Sequence, residues 1–421
     1  MLLYINWDGF SRHWYEMARR HGDGTPNLDR MIAQGAFLSN HVCGLPAITN
    51  PMQQTLVSGA WPVDTGNCYI RFDKVERRFV PTGRTNRCEN LAEAARRQGL
   101  RCASVHGWYF ENRGCTEGDA QAPYIQDNLP NFETRAALLL SYLKGEPVSS
   151  GSRSIVMQQR PDFLSLYADD IDSVCHNGGR LPYPELRRAR TLDEWYANLV
   201  YTVQRMDRAL APLLALEDTT VALAADHGGM PYATKAFGIS REEAILPRQR
   251  ALLQAIESAG VAPFVFTSKE QTIPEDASAV LLSIGTQAFF CALKPMPALI
   301  PHIQQAVSAL PFIRGCLDAG QQQAYGAPAG FCDLYILTKS PFFLTCEGSV
   351  GDFVGGSHAA RDSSVLEVFC ALCGPGVRPG VYVTRQTDVT DFAPTLCRLM
   401  GIQAPANSTG RVLAEILQQG V

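Results

Sequence analysis

Residues 220–230 read TVALAADHGGM: a short run of small and β-branched apolar residues that stops at Asp226 and His227 and is followed at once by two glycines. Such a run, with no polar alternation, is what a strand covered on both faces requires. LLYIN (2–6), CASVH (102–106) and FLSLYAD (163–169) repeat the pattern, and VLEVFCALCG (365–374) reads as another strand. Between them lie segments of helical period, CENLAEAARRQG (88–99), ETRAALLLSYLKG (133–145) and TLDEWYANLVYTVQRMDRALAPLLAL (191–216). Gly99 is placed to end the first of these helices. The alternation predicts an α/β fold with a mostly parallel central sheet between two helical layers. Several strands end in polar residues: Asp8, His106, the Asp169–Asp172 cluster, and Asp226 with His227. Ligands of open α/β sheets bind at the carboxyl ends of strands, so these residues are expected to converge.

The texture changes from Phe237 to Gly330. A helical segment, SREEAILPRQRALLQAIESAG (240–260), is followed by closely spaced strands PFVFT (263–267), AVLLSIG (279–285) and QAFFCALK (287–294), then by the helix ALIPHIQQAVSAL (298–310). This predicts a small α+β cap domain over 237–330, inserted into a core made of 1–236 and 331–421.

Bulk properties narrow the function. At 421 residues and 46% hydrophobic content the chain buries a large core. Its 37 basic and 41 acidic residues give a charge of -4 without a long run of either sign, so no nucleic-acid polymer is expected as partner. No apolar stretch reaches the roughly 18 residues of a membrane span. MLLYINWDGF (1–10) reads as a buried strand rather than a secretion signal, which predicts a cytoplasmic protein if Met1 is the native start. Thirteen cysteines scattered through so large a chain read as reduced core thiols. The CxxC pair Cys370 and Cys373 lies inside an apolar strand without a second pair, which favours packing over metal binding.

Four short segments carry carboxylate and imidazole groups suited to divalent cations: NWDGF with Asp8, DIDSVCHNGG with Asp172 and His176, AADHGGM with Asp226 and His227, and GGSHAA with His358. Three of the eight histidines fall in them. DxxxH spacing brings two ligands to one side of a helical turn, and adjacent glycines allow close backbone approach. LPAITNPMQQTLVSG (45–59) adds Thr49 at a helix start, where a hydroxyl either caps the helix or serves as a nucleophile.

The ordered set resembles the alkaline phosphatase superfamily, and within it the type I phosphodiesterase/nucleotide pyrophosphatase family together with its relative, phosphonoacetate hydrolase. The likeness extends through INWDGF, TPNLDRMIAQGA, PAITNPMQQTLVSGAWP, the DxxxH segment, AADHGGM, GGSHAARDSSVLEVFCALCGPGV and DVTDFAPTLCRLMGIQAPANSTGRVL. It implies an alkaline-phosphatase-like three-layer sandwich with the inserted cap, and two divalent metal ions. One ion would be held by Asp172, His176 and His358, the other by Asp8, Asp226 and His227 with the Thr49 oxygen. Zinc is the default for this mixed nitrogen and oxygen set, and Mn2+ or Fe2+ suit the same groups. Thr49 would attack phosphorus and a water would then cleave the phospho-threonine, so that two in-line displacements hydrolyse a phosphodiester or pyrophosphate.

Substrate residues are less uniform. HGWYFENRG (106–114) lacks the lysines with which phosphonoacetate hydrolase grips a carboxylate, and offers Trp108 and Tyr109 either as stacking partners for a nucleobase or aryl group or as ordinary packing. GNCYIRFD (66–73) departs from the family's phosphoryl-binding asparagine, leaving Asn67, Arg71 and, beside the nucleophile, Asn50 as replacements. The expected partner is a small phosphorylated substrate. A C–P bond hydrolase acting on a small phosphonate is the alternative enzyme reading, and a metal-stabilised binding protein the non-enzymatic one.

Overall fold

A computed structural model describes residues 1–232, 241–266, 271–344 and 353–420. Four of the apolar runs are strands buried at every position: Leu2–Trp7, Cys102–Val105, Phe163–Ala168 and Thr220–Ala224. They pair in parallel, with Leu2–Trp7 between Phe163–Ala168 and Thr220–Ala224 and with Cys102–Val105 beyond the former. Side chains that are apolar on both faces of a strand need cover on both sides of the sheet. Tyr124–Ile125 adds one parallel edge, and Gly35–Leu38 with Val381–Val383 the other. Cys370–Cys373 enters between Thr220–Ala224 and Gly35–Leu38 antiparallel to both, completing an eight-stranded, mostly parallel sheet.

Helices Arg12–Arg19, Pro26–Ala33, Phe132–Leu143 and Asp170–His176 gather on the long helix Leu192–Leu214, while Leu91–Arg97 and Thr49–Ser58 pack on Phe392–Leu399. These groups supply the outer layers of the expected three-layer sandwich. Asn90 opens Leu91–Arg97 with a capping box to Glu93, and Gly99, at φ +83°, follows its end.

A second sheet, formed mostly by the segment expected as a cap, is ordered Phe264–Phe266, Ala279–Ile284, Gln287–Ala292, Leu334–Thr338, Ile313–Leu317. Its strands alternate. Val280, Phe289, Tyr335 and Leu337 face the main core, while Leu281, Phe290, Leu334 and Ile336 join Leu252, Ile256, Ile303 and Val307 of helices Arg241–Ser258 and Ile300–Ser308. Residues beyond the expected boundary at 330 also take part in this sheet. Leu334–Thr338 lies between two cap strands, and Leu344 belongs to the cap's own apolar cluster. The expected junction at 236/237 lies outside the described residues.

VLEVFCALCG also departs from a single strand. Ser363–Leu366 is a helical turn, Glu367–Val368 pairs with His41–Val42, and only Cys370–Cys373 enters the central sheet. Every described cysteine is a free thiol, and all but Cys373 are buried. No described helix is long and apolar enough to cross a membrane.

Candidate metal centre

Asp8 and Asp226 stand just beyond the carboxyl ends of adjacent parallel strands, which brings two buried carboxylates together. Asp8 Oδ2 accepts a hydrogen bond from the Tyr167 hydroxyl at 2.6 Å, and Asp226 Oδ1 accepts from the Gly9 amide at 3.2 Å. Among the described residues, Asp8 Oδ1 and Asp226 Oδ2 have no hydrogen-bond partner although both are buried. Gly9, at φ +75°, lets Asp172 come close to this strand end, because a Cβ there would meet the Asp172 backbone at 3.1 Å. His227 is fully buried, with Nε2 3.4 Å from Asp8 Oδ1 and 3.4 Å from Asp226 Oδ2.

The helix Asp170–His176 presents Asp172 and His176 one turn apart, with 3.4 Å between Oδ1 and Nε2. His358 follows the strand Gly355–Ser357, which pairs with Met230–Tyr232 just after His227. Its ring centroid lies 4.2 Å from that of His227 and 5.1 Å from that of His176. Each imidazole rests on a main-chain carbonyl through Nδ1: His176 on Gly356 at 2.9 Å, His227 on Gly228 at 2.9 Å and His358 on Ala47 at 3.2 Å. A neutral ring donating from Nδ1 presents its lone pair at Nε2, the arrangement in which histidine binds metal.

Thr49 is the first residue of the helix Thr49–Ser58, not its cap; Ile48 holds the cap position and makes no side-chain bond. The hydroxyl instead donates to His227 Nε2 at 3.0 Å. Within 4.8 Å of one another stand donor atoms of Asp8, Asp226 and His227, and likewise those of Asp172, His227 and His358. His227 thus stands between two groups, and His176 reaches the second through Asp172 and His358.

The electrostatics fit cations. Burial, then Asp226 and Asp172, push the Asp8 carboxyl well above the usual carboxylate range, and burial lifts Asp226 to about 7. Burial and the neighbouring His227 and His176 rings hold His358 well below the usual histidine range. Clustered carboxylates that resist ionisation and imidazoles that resist protonation are both relieved by divalent cations, and so are the orphaned oxygens.

The residues expected to touch substrate do not gather with this cluster in the same way. Asn50 follows Thr49 in the first helical turn and is half-buried. Asn67 is fully engaged elsewhere, donating to the Gly83 and Thr85 carbonyls and accepting from the Tyr69 amide and the Thr82 hydroxyl. Its carboxamide holds a loop and is not free for a phosphoryl group. Arg71 is exposed on the hairpin strand Ile70–Asp73, 3.6 Å from the Asp73 carboxylate. Tyr109 is 2% exposed and packed among Tyr4, Phe110 and Tyr167, so packing, not stacking on a ligand, is its role. Trp108 is half-buried, with the Arg84 guanidinium 5.0 Å from its ring centre.

Sequence reading missed Tyr167, although its pairing with Asn6, two residues before Asp8, places it beside that carboxylate. It also missed Arg135, which pairs with Asp169 at 2.7 Å, and Asn177, which follows His176.

Residues 2–276 match the profile of the type I phosphodiesterase / nucleotide pyrophosphatase family. Among solved structures, murine ectonucleotide pyrophosphatase / phosphodiesterase 5 superposes with a TM-score of 0.63 at 14% identity, covering 99% of this chain and 100% of that one. An inactive threonine-to-alanine variant of the murine protein, in complex with AMP, matches equally at 0.63 and 14%, covering 99% of each chain. The human protein gives 0.61 at 16%, covering 99% and 100%. A calcium-transporting ATPase of Myroides odoratus is 34% identical over 68 residues, which are 16% of this chain and 12% of that protein. The chain therefore spans only a small part of that relative's length.

Proposed function

This chain belongs to the type I phosphodiesterase / nucleotide pyrophosphatase family, and we propose that it hydrolyses phosphodiester or pyrophosphate bonds through a phospho-threonine at Thr49, with two divalent cations, zinc by default. The observation that carries this reading is the contact of the Thr49 hydroxyl with His227, itself within 3.4 Å of both buried carboxylates. A helix-start hydroxyl used only for capping would bond the backbone of its own first turn.

Asp8, Asp226 and His227 would hold one ion beside the Thr49 oxygen, and Asp172, His176 and His358 the other. When bound, such ions neutralise phosphoryl oxygens and lower the proton affinity of hydroxyl and water. The chain itself supplies orientation. Helix Thr49–Ser58 points its start at the site, where Pro51 has no amide hydrogen and the Met52 amide returns to the Ile48 carbonyl. The amides of Thr49 and Asn50 are left to face phosphoryl oxygens, with the Asn50 carboxamide beside them. Thr49 oxygen bonds to phosphorus as the leaving oxygen departs, and the hydroxyl proton is released. Water then cleaves the new ester and restores the hydroxyl.

Burial of Tyr109 and the guanidinium over Trp108 argue against these rings as the platform for a nucleobase. The AMP complex of the murine relative supports a nucleotide-type ester as substrate. Beside Asp169 and Ser173, however, a cavity of about 320 Å³ is lined by His106, Asp127, Arg135 and Arg180, and these groups favour a leaving group that forms hydrogen bonds.

The test is a turnover panel on zinc-reconstituted protein: nucleotide esters, bis-aryl phosphate, small polar phosphodiesters, a phosphonate, and phosphate and sulfate monoesters. Diesters should be preferred. Thr49→Ala should lose at least about a thousandfold in kcat while still binding zinc, which also separates an enzyme from a metal-stabilised binding protein. Inorganic phosphate released from the phosphonate would favour C–P cleavage. Monoester rates far above diester rates, or full activity in Thr49→Ala, would refute the proposal.

A further inference from the structure

We propose that Asn177 is a positioning residue that sets the spacing between the helix carrying Asp172 and His176 and the strand carrying His358, and so the affinity for the ion proposed there. The inference rests on the two-ion reading above.

Asn177 closes the helix Asp170–His176 in a left-handed conformation, φ +53° and ψ +38°, and is 1% exposed. Glycine adopts that conformation most readily, so a buried asparagine there is chosen for its side chain. Its Nδ2 donates to the Ala189 carbonyl at 2.9 Å and to the Val354 carbonyl at 2.6 Å, and its Oδ1 accepts from the Ala189 amide at 2.8 Å. Arg188 Nε donates to the Asn177 carbonyl at 2.9 Å, and the Val354 amide donates to the Ala189 carbonyl at 3.0 Å. One carboxamide therefore satisfies three main-chain groups on two separate segments.

Val354 leads directly into Gly355–Ser357 and His358. On one side that strand pairs with Met230–Tyr232, which continues from His227. On the other it lies against the last turn of the Asp172 helix, so closely that a Cβ on Gly356 would stand 2.0 Å from the Cys175 carbonyl oxygen. The Gly356 carbonyl in turn holds His176 Nδ1. The segments bearing all three imidazoles thus meet along one short strand, and Asn177 joins His176 in fixing its approach from the helix side. Aspartate would set one carboxylate oxygen against two carbonyls, whereas glycine would keep the backbone and delete the clamp.

Zinc competition against a chromophoric chelator, on wild type, Asn177→Gly and Asn177→Asp, tests this. Wild type should bind two zinc ions. Both variants should keep one at wild-type affinity and bind the other about 10–100-fold more weakly, the usual effect of losing a group that orients ligands. A merely structural role would weaken both ions together or neither, and either result overturns the inference. Should neither variant fold, hydrogen exchange on wild type decides: zinc should slow the Ala189 and Val354 amides, and unchanged rates overturn it. Fewer than two zinc ions in wild type would overturn the two-ion reading and this inference with it. Two in wild type, held unchanged in the variants, would overturn this inference alone.

Discussion

Tyr167→Phe removes one oxygen atom from the centre and nothing else. Tyr167 is the penultimate residue of the strand Phe163–Ala168, and its hydroxyl is bonded to Asp8 Oδ2 at 2.6 Å. The ring lies edge-on to Tyr109 with 6.0 Å between centroids, and phenylalanine preserves that packing. A hydrogen bond to an ionised carboxylate contributes about 1.5–3 kcal/mol, which corresponds to a factor of about 10–150 in an equilibrium constant. The direction follows from the neighbours. Burial, Asp226 and Asp172 push the Asp8 carboxyl up, and the Tyr167 hydrogen bond opposes them. Without the phenol, Asp8 holds its proton to higher pH, and a cation must displace that proton to bind. Zinc competition across a pH series should therefore show weaker binding on the Asp8 side and a midpoint moved to higher pH, with the variant still folding cooperatively. Wild-type affinity together with a wild-type pH midpoint would show that the phenol does not hold Asp8 in its ionised form.

Two further outcomes follow from the fold. Asp207, on the long helix Leu192–Leu214, accepts from the Leu28 amide at 2.7 Å and from the Asn27 amide at 3.2 Å, capping Pro26–Ala33 from a distance because Thr25 makes no side-chain cap bond. Asp207→Ala should lower unfolding free energy by about 2 kcal/mol in urea titration and leave zinc binding intact; undiminished stability would remove the distant cap. His106 is held near 4 by burial and then by Arg135, against about 6.5 in the unfolded chain. Between those values the unfolded chain binds a proton that the folded chain refuses, so stability is present above the upper value and is lost as pH falls toward the lower, by up to about 3 kcal/mol. Asn tolerates the left-handed backbone of His106, φ +58°, so His106→Asn should flatten that acid limb, and an unaltered limb would refute the assignment.

What could be read in the sequence was whatever a few consecutive residues encode. The strands Leu2–Trp7, Phe163–Ala168 and Thr220–Ala224 declare themselves because burial on both faces demands unbroken apolar runs, and Asp8 and Asp226 declare themselves by standing where those runs stop. The far edge of the cap does not. Leu334–Thr338 is as apolar as a core strand, and its membership is set by partners at Gln287–Ala292 and Ile313–Leu317, which composition cannot specify.

The same division runs through the candidate site. Asp172 and His176 are legible because helical spacing alone puts them together, whereas Tyr167 meets Asp8 across 159 positions and Asn177 meets Val354 across 177. Tyr109 and Asn67 have side chains suited to a ligand, yet burial among aromatic rings claims one and four hydrogen bonds claim the other. Residue type nominates a donor, but only the surroundings decide whether its valence is already spent. By that criterion Asp8 Oδ1 and Asp226 Oδ2 are the informative atoms: buried, anionic when ionised, and without a hydrogen-bond partner among the described residues. A fold that leaves two such oxygens each 3.4 Å from His227 Nε2 carries a destabilising charge cluster unless a cation completes it.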